Sequence, residues 1–109
     1  TYNCTHIHRL HMIVHGFDWD KGNKTKCQRH GLTLEEIESV FLGQPFVLTN
    51  EKHSSLEERF HAVGETAAGR YAYIVFTFRL RTEETRIRPI SARFMHQKEI
   101  EHYERQRKK

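Results

Sequence analysis

No stretch of this sequence approaches the roughly 18 apolar residues that a membrane-spanning helix requires. No signal-peptide pattern opens the chain either, so the expected setting is cytoplasmic, with no membrane partner. Cysteine is scarce, two in 109 residues. Cys4 and Cys27 sit in unrelated contexts, and two free thiols in a reducing compartment are expected rather than a disulfide. Internal repeats and low-complexity segments are missing, which excludes solenoids and arrays. No carboxylate cluster suggests a two-metal centre. His6, His8, His11 and His15 crowd the start, but no acidic or thiol partner completes a site. No metal and no cofactor are expected.

What is present fits one small domain with a single core. Apolar residues make up 37% and charged residues 29% of the chain. Residues 1–78 hold 8 Lys/Arg against 9 Asp/Glu, whereas residues 79–109 hold 10 against 5. The excess of the overall +4 charge therefore lies in the last third. A basic surface there suits nucleic acid or an acidic protein, or is an ordinary basic face without a ligand.

Residues 1–11 are polar and aperiodic and read as an N-terminal extension; residues 12–109 read as the domain. A short strand is expected at Met12-Ile13-Val14. Asp18 or Asp20 then caps a helix whose far end gathers Lys24, Lys26, Arg29 and His30 against the dipole, with Gly31 as the left-handed stop. Gly22 and Asn23 weaken that helix, so packing through Trp19 has to hold it. The clearest element is TLEEIESVFLG: Thr33 and Glu36 form a capping box. Leu34, Ile37, Val40 and Phe41 share one face, and Glu35 and Glu38 face water. Strand-like runs follow at Phe46–Thr49, Arg59–Val63, Tyr71–Arg79 and Arg86–Arg93, the last two joined as a hairpin through RTEE. A helix from Met95 to Arg107 closes the chain. The order β-α-α-β-β-β-β-α predicts an α+β fold, a small antiparallel sheet with helices packed on one face.

Alternation assigns Ala72, Ile74, Phe76 and Phe78 to the face that takes the two early helices. Tyr71, Tyr73, Val75, Thr77 and Arg79 lie on the other. In the last strand it groups Ile87, Ser91 and Arg93 against Arg86, Arg88, Ile90 and Ala92. Five arginines, Arg79, Arg81, Arg86, Arg88 and Arg93, fall within fifteen positions. Singly, each reads as a solvated strand residue whose stem covers apolar surface. Together with Tyr71 and Tyr73 they suit a single-stranded polynucleotide, tyrosine stacking on bases and arginine gripping phosphate.

The segments FDWDKGNKTKCQRHGL, LEEIESVF, EERFHAVGET and RIRPISAR occur in an order and spacing similar to the BrnT family. That family is the toxin half of bacterial BrnT/BrnA toxin–antitoxin pairs. The resemblance covers about residues 12–107. It implies a RelE-like fold, ribonuclease activity that inhibits translation, and neutralisation by a BrnA-like ribbon-helix-helix antitoxin in a heterotetramer, with operator DNA bound only through the antitoxin. It also implies that Arg79 and Arg93 are the important arginines, with Arg79 near a phosphate site at Arg93. Pro89 departs from the family's aliphatic residue and implies an edge strand or a bulge. Phe94-Met95-His96 departs from its helix start, losing a basic residue and a cap.

The chemistry expected is metal-independent cleavage of RNA, the substrate's 2′-OH attacking the adjacent phosphate. Arg79 and Arg93 would stabilise the growing charge, since arginine is a poor proton carrier. His30 is an acid/base candidate or simply a helix-end histidine, and His61 is a further candidate on a strand. Lys26, Arg29, Tyr73, Thr77, Arg81 and Ser91 complete the expected RNA-binding set. The competing reading is a non-catalytic module that binds RNA or its antitoxin.

Overall fold

The computed structural model describes residues 2–6, 16–50 and 58–107. Strands β1 (Tyr2–His6), β2 (Phe46–Asn50), β3 (Phe60–Glu65), β4 (Tyr71–Arg81) and β5 (Glu84–Phe94) form one antiparallel sheet in sequence order. Helices α1 (Lys21–Cys27) and α2 (Leu34–Leu42) precede β2, and α3 (Gln97–Arg107) ends the chain. The order is the one expected. The strand proposed at Met12–Val14 lies outside the described residues, and the first strand, Tyr2–His6, pairs with β2 at the edge of the β2–β5 meander.

The core forms where the apolar alternation of the strands meets the helical stripe. Ile37, Val40 and Phe41 of α2 are buried against Val47, Ala62, Ala72, Ile74 and Phe76 of the sheet. Burial of each large side chain contributes about 1.5–3 kcal/mol, far more than the few tenths that helix propensity decides. The Thr33–Glu36 capping box forms as expected. Glu38 does not simply face water: it accepts a 2.8 Å hydrogen bond from Trp19 Nε1, because an indole packed against the core must place its N–H on an acceptor.

α1, at seven residues, is too short to persist alone. Asp20 is its N-cap, in a reciprocal box with Asn23. Gly31, with φ +99, provides the left-handed exit. Cys27 is a free thiol, fully buried in the core; burial pushes its pKa up to about 11, so it packs as a small apolar residue. α1 and α2 take the apolar face. α3 instead crosses the other face, where Tyr103 meets Phe46 and Tyr71 edge-on.

One departure from alternation reorganises the site. Val75 pairs with Ser91 but Phe76 pairs with Pro89, so Ile90 is an extra residue, a β-bulge in β5. Pro89, on an edge strand beside this bulge, lacks a donor where the ladder asks for none. The faces assigned to β5 from the sequence are corrected accordingly. Ile87 and Ala92 both point into the core, while Arg93 lies opposite Tyr73 and joins Arg86, opposite Arg79, on the other face. Buried Asn23 secures the bulge, donating through Nδ2 to the carbonyls of Asp18 and Pro89, both at 2.9 Å. The outer edge of β5 is covered locally by residues 16–18, Asp18 N donating to Ile87 O and Ile87 N to Gly16 O.

The β4–β5 hairpin turns on Thr82 and Glu83, with φ of 51° and 67°. Two consecutive left-handed residues in a two-residue loop make the type I′ geometry, which favours Asn-Gly. Replacing Thr82-Glu83 by Asn-Gly is expected to stabilise the fold by about 1 kcal/mol in urea unfolding. Asn23→Ala, which leaves the buried Pro89 carbonyl and the half-buried Asp18 carbonyl without their donor, is expected to cost about 2–3 kcal/mol in the same assay. An unchanged midpoint for Asn23→Ala would show that the bulge stands without it.

Candidate functional site: the sheet face beneath the last helix

The side chains on the face away from α1 and α2 form two groups at opposite ends of β4. At one end, Arg93 places its guanidinium 4.7 Å over the ring of Tyr73. The Tyr73 hydroxyl is hydrogen-bonded to Nδ1 of His61, which lies on neighbouring β3. The His61 and Tyr73 rings meet edge-on at 5.2 Å. Ser91 follows one step along, opposite Val75. Arg93, Tyr73, His61 and Ser91 thus share one patch, contributed by three strands.

Arg93 is held by Glu99 of α3 through two parallel bonds of 2.8 and 2.7 Å. Those bonds, then the Coulomb attraction, raise the guanidinium pKa against the opposing effect of burial. On the other side, the hydrogen bonds from Arg93 hold the Glu99 carboxyl down at about 2, helped by the His96 amide. That amide donates to Glu99 at 2.9 Å, so Glu99 supplies part of the helix-start capping that Phe94-Met95-His96 lacks.

At the other end lie Arg79, opposite Arg86, and Arg81, opposite Glu84. Tyr73 and Arg79 are six residues apart on one strand, about 20 Å at the usual rise. Arg79 and Arg93 therefore share a face but are not neighbours, which corrects the proximity expected from the sequence. Arg81 is tied to Asp18 at 3.2 Å. Arg88 grips Asp18 at 3.0 Å and Asp20 at 2.8 Å. Burial would raise the Asp18 pKa, but hydrogen bonds from Arg81 and Arg88 outweigh it and bring it down. Asp20 is lowered by the Asn23 amide and then by Arg88. Arg86 pairs with Glu84 at 2.8 Å. Among the described residues, Arg81, Arg86, Arg88 and Arg93 therefore already hold carboxylates.

The remaining expected residues are dispersed. Thr77 is buried and its hydroxyl donates to the Glu58 carbonyl at 2.6 Å, so it is engaged inside the fold. Lys26, Arg29 and His30 are exposed at the end of α1. Gly31, next to His30, lies near Phe94, whose side chain leaves β5 on the face opposite Arg93. The structure thus separates His30 from the Arg93 patch. Glu99 was missed by sequence reading; its signal was a carboxylate three residues after His96, the reach-back half of a capping box.

The Glu99 shift has a pH consequence. Its folded pKa, about 2, lies below the ordinary 4.5, so its stabilisation is present above about pH 4.5 and is lost as pH falls toward 2. Wild-type stability measured by thermal unfolding is expected to decline across that window, with a shallower decline in Glu99→Gln. Identical slopes would mean that the Arg93–Glu99 pair carries no linkage.

The comparison with curated proteins finds no match. A family model described as the ribonuclease toxin BrnT of type II toxin–antitoxin systems matches residues 19–99. That span runs from Trp19, anchored on α2, to Glu99, the partner of Arg93, and takes in both groups of arginines. The chain belongs to the BrnT family of ribonuclease toxins of type II toxin–antitoxin systems.

Proposed function

We propose that this chain is a metal-independent endoribonuclease that cuts RNA at the Arg93 end of the sheet face that α3 crosses and thereby inhibits translation. The observation that carries this reading is the convergence of Arg93, Tyr73 and His61, a phosphate-binding cation beside two linked proton-transfer groups. The 2′-OH of the substrate attacks the adjacent phosphorus and the 5′-oxygen leaves. The Tyr73–His61 pair takes up the 2′-OH proton and returns one to the leaving oxygen. Arg93 stabilises charge on the phosphoryl oxygens as it grows.

Arg79, about 20 Å along the same face, is assigned to a second phosphate of the bound strand rather than to the reacting one. Arg81 and Ser91 line the same face. Lys26, Arg29 and His30, on the far side of the sheet edge, serve at most a strand that wraps around β5. The toxin's partner is an antitoxin, as membership of a type II family implies. We assign that partner to the BrnA-like ribbon-helix-helix class, in a heterotetramer that reaches operator DNA only through the antitoxin. Among the described residues no helix is long and apolar enough to cross a membrane, and an RNA target places the action in the cytoplasm.

A binding module without catalysis is the second reading, favoured by one observation: Glu99 already occupies both arms of Arg93. Cleavage of a labelled RNA by the purified protein in EDTA separates the two. Arg93→Ala and Tyr73→Phe are expected to slow cleavage about a hundredfold, on the order of 3 kcal/mol of barrier. Arg79→Ala is expected to weaken RNA binding, with a smaller salt dependence. Intact RNA with well-folded wild type would overturn direct catalysis and leave the binding module.

A further inference from the structure

Between α3 and the sheet face it crosses lies a cleft of about 700 Å³, within the range of small-ligand sites. Its sheet wall includes Phe46, Leu48, Val63 and Tyr73, and its other wall Met95, just before α3, and Tyr103 of α3. The polar groups that line it are Arg93, Lys98, Glu99, His102 and Gln106. We propose that this cleft is a nucleotide subsite: it takes one unstacked base of the RNA strand against its aromatic walls, with that nucleotide's phosphate on Arg93 where Glu99 now sits. The proposal rests on the ribonuclease reading and adds where a base is held.

Three features argue for a nucleotide rather than an apolar protein segment. A guanidinium engages carboxylate and phosphate through the same two parallel N–H bonds, so the Glu99 oxygens, at 2.8 and 2.7 Å, mark positions for two phosphate oxygens. Lys98 and His102, one turn apart on α3, add donors that an anion uses and an apolar peptide does not. The walls offer ring faces and edges from three aromatic side chains, the recurrent means of holding a single-stranded base without reading its sequence.

The geometry also gives Glu99 a defined part. It keeps Arg93 oriented over Tyr73 and satisfied while the cleft is empty, and it must leave when phosphate arrives. α3 carries that carboxylate and is attached to the sheet through Tyr103 packing on Phe46 and Tyr71 and through the bond from the Tyr71 hydroxyl to Glu104, 2.9 Å. Entry of a base therefore means a small outward shift of one terminal helix, with the core beneath it undisturbed.

Methyl NMR of the full chain labelled at methionine tests this directly, because Met95 lines the cleft and the only other methionine is Met12. The probes are the four nucleoside 3′-monophosphates, with ribose 5-phosphate and inorganic phosphate as base-free controls. A purine ring against the cleft wall is expected to move the Met95 methyl signal, while ribose 5-phosphate leaves it nearly in place. Leu48→Trp, which fills the cleft, should weaken the nucleotides about tenfold relative to ribose 5-phosphate. Glu99→Gln should tighten all the phosphate esters by vacating Arg93. Equal affinity for ribose 5-phosphate and nucleotides, in wild type and Leu48→Trp alike, would overturn the base subsite. A Met95 signal unmoved by any nucleotide, even in Glu99→Gln, would overturn it as well and assign the cleft to a protein segment. Should wild type cut RNA while Met95 stays still, the subsite fails and the cleavage reading stands.

Discussion

The rest of this structure depends on one extra residue in the last strand. Without Ile90 bulged out between Pro89 and Ser91, a β5 that keeps Ile87 in the core would point Arg93 into the same core and Ala92 outward. Burying an unpaired guanidinium among Phe76, Ile74 and Leu32 is too costly for a small domain. The bulge resolves this conflict and turns Arg93 over Tyr73. Asn23 holds it there from α1, so a helix that contributes no side chain to the candidate site still sets its geometry.

The second constraint is electrostatic. A strand this rich in arginine would repel itself unless its charges were matched. Asp18 and Asp20 take Arg81 and Arg88, Glu84 takes Arg86, and Glu99 takes Arg93. The first of these networks is structural: it fastens the start of α1 to the edge of β5, next to the backbone bonds that residues 16–18 make with Ile87. The last is different in kind. Glu99 belongs to α3, lines the cleft, and makes with Arg93 the contact that a phosphate would make. The same pairing chemistry is thus a rivet at one end of the face and, in our proposal, a displaceable placeholder at the other.

This division assigns the arginines of RIRPISAR separate roles. Arg86 and Arg88 neutralise carboxylates and hold the edge of the sheet. Arg93 is poised beside an aromatic ring and a histidine, where a cation has chemical use. Arg79 stands on the same face, about 20 Å from Tyr73 along β4, where we propose that it meets a second phosphate.

Local rules determined most of the architecture. The Thr33–Glu36 box, the 3–4 spacing of Ile37, Val40 and Phe41, and the alternation through Tyr71–Phe78 each report an interaction between residues close in the chain, so their periodicity specifies helix or strand and the face it buries. Pro89 also announced an edge or a bulge, because a missing donor has few places to go. The order and spacing of the motifs were enough to indicate the family. Only the tertiary structure could decide how far those two arginines lie apart, that the bulge brings Arg93 onto the tyrosine face, that Glu99 closes on it, and that His61 rather than His30 shares its surroundings. Each of these depends on strand register or on where a terminal helix docks. Register and docking are set by side chains far apart in sequence, whose pairing leaves no local periodic trace.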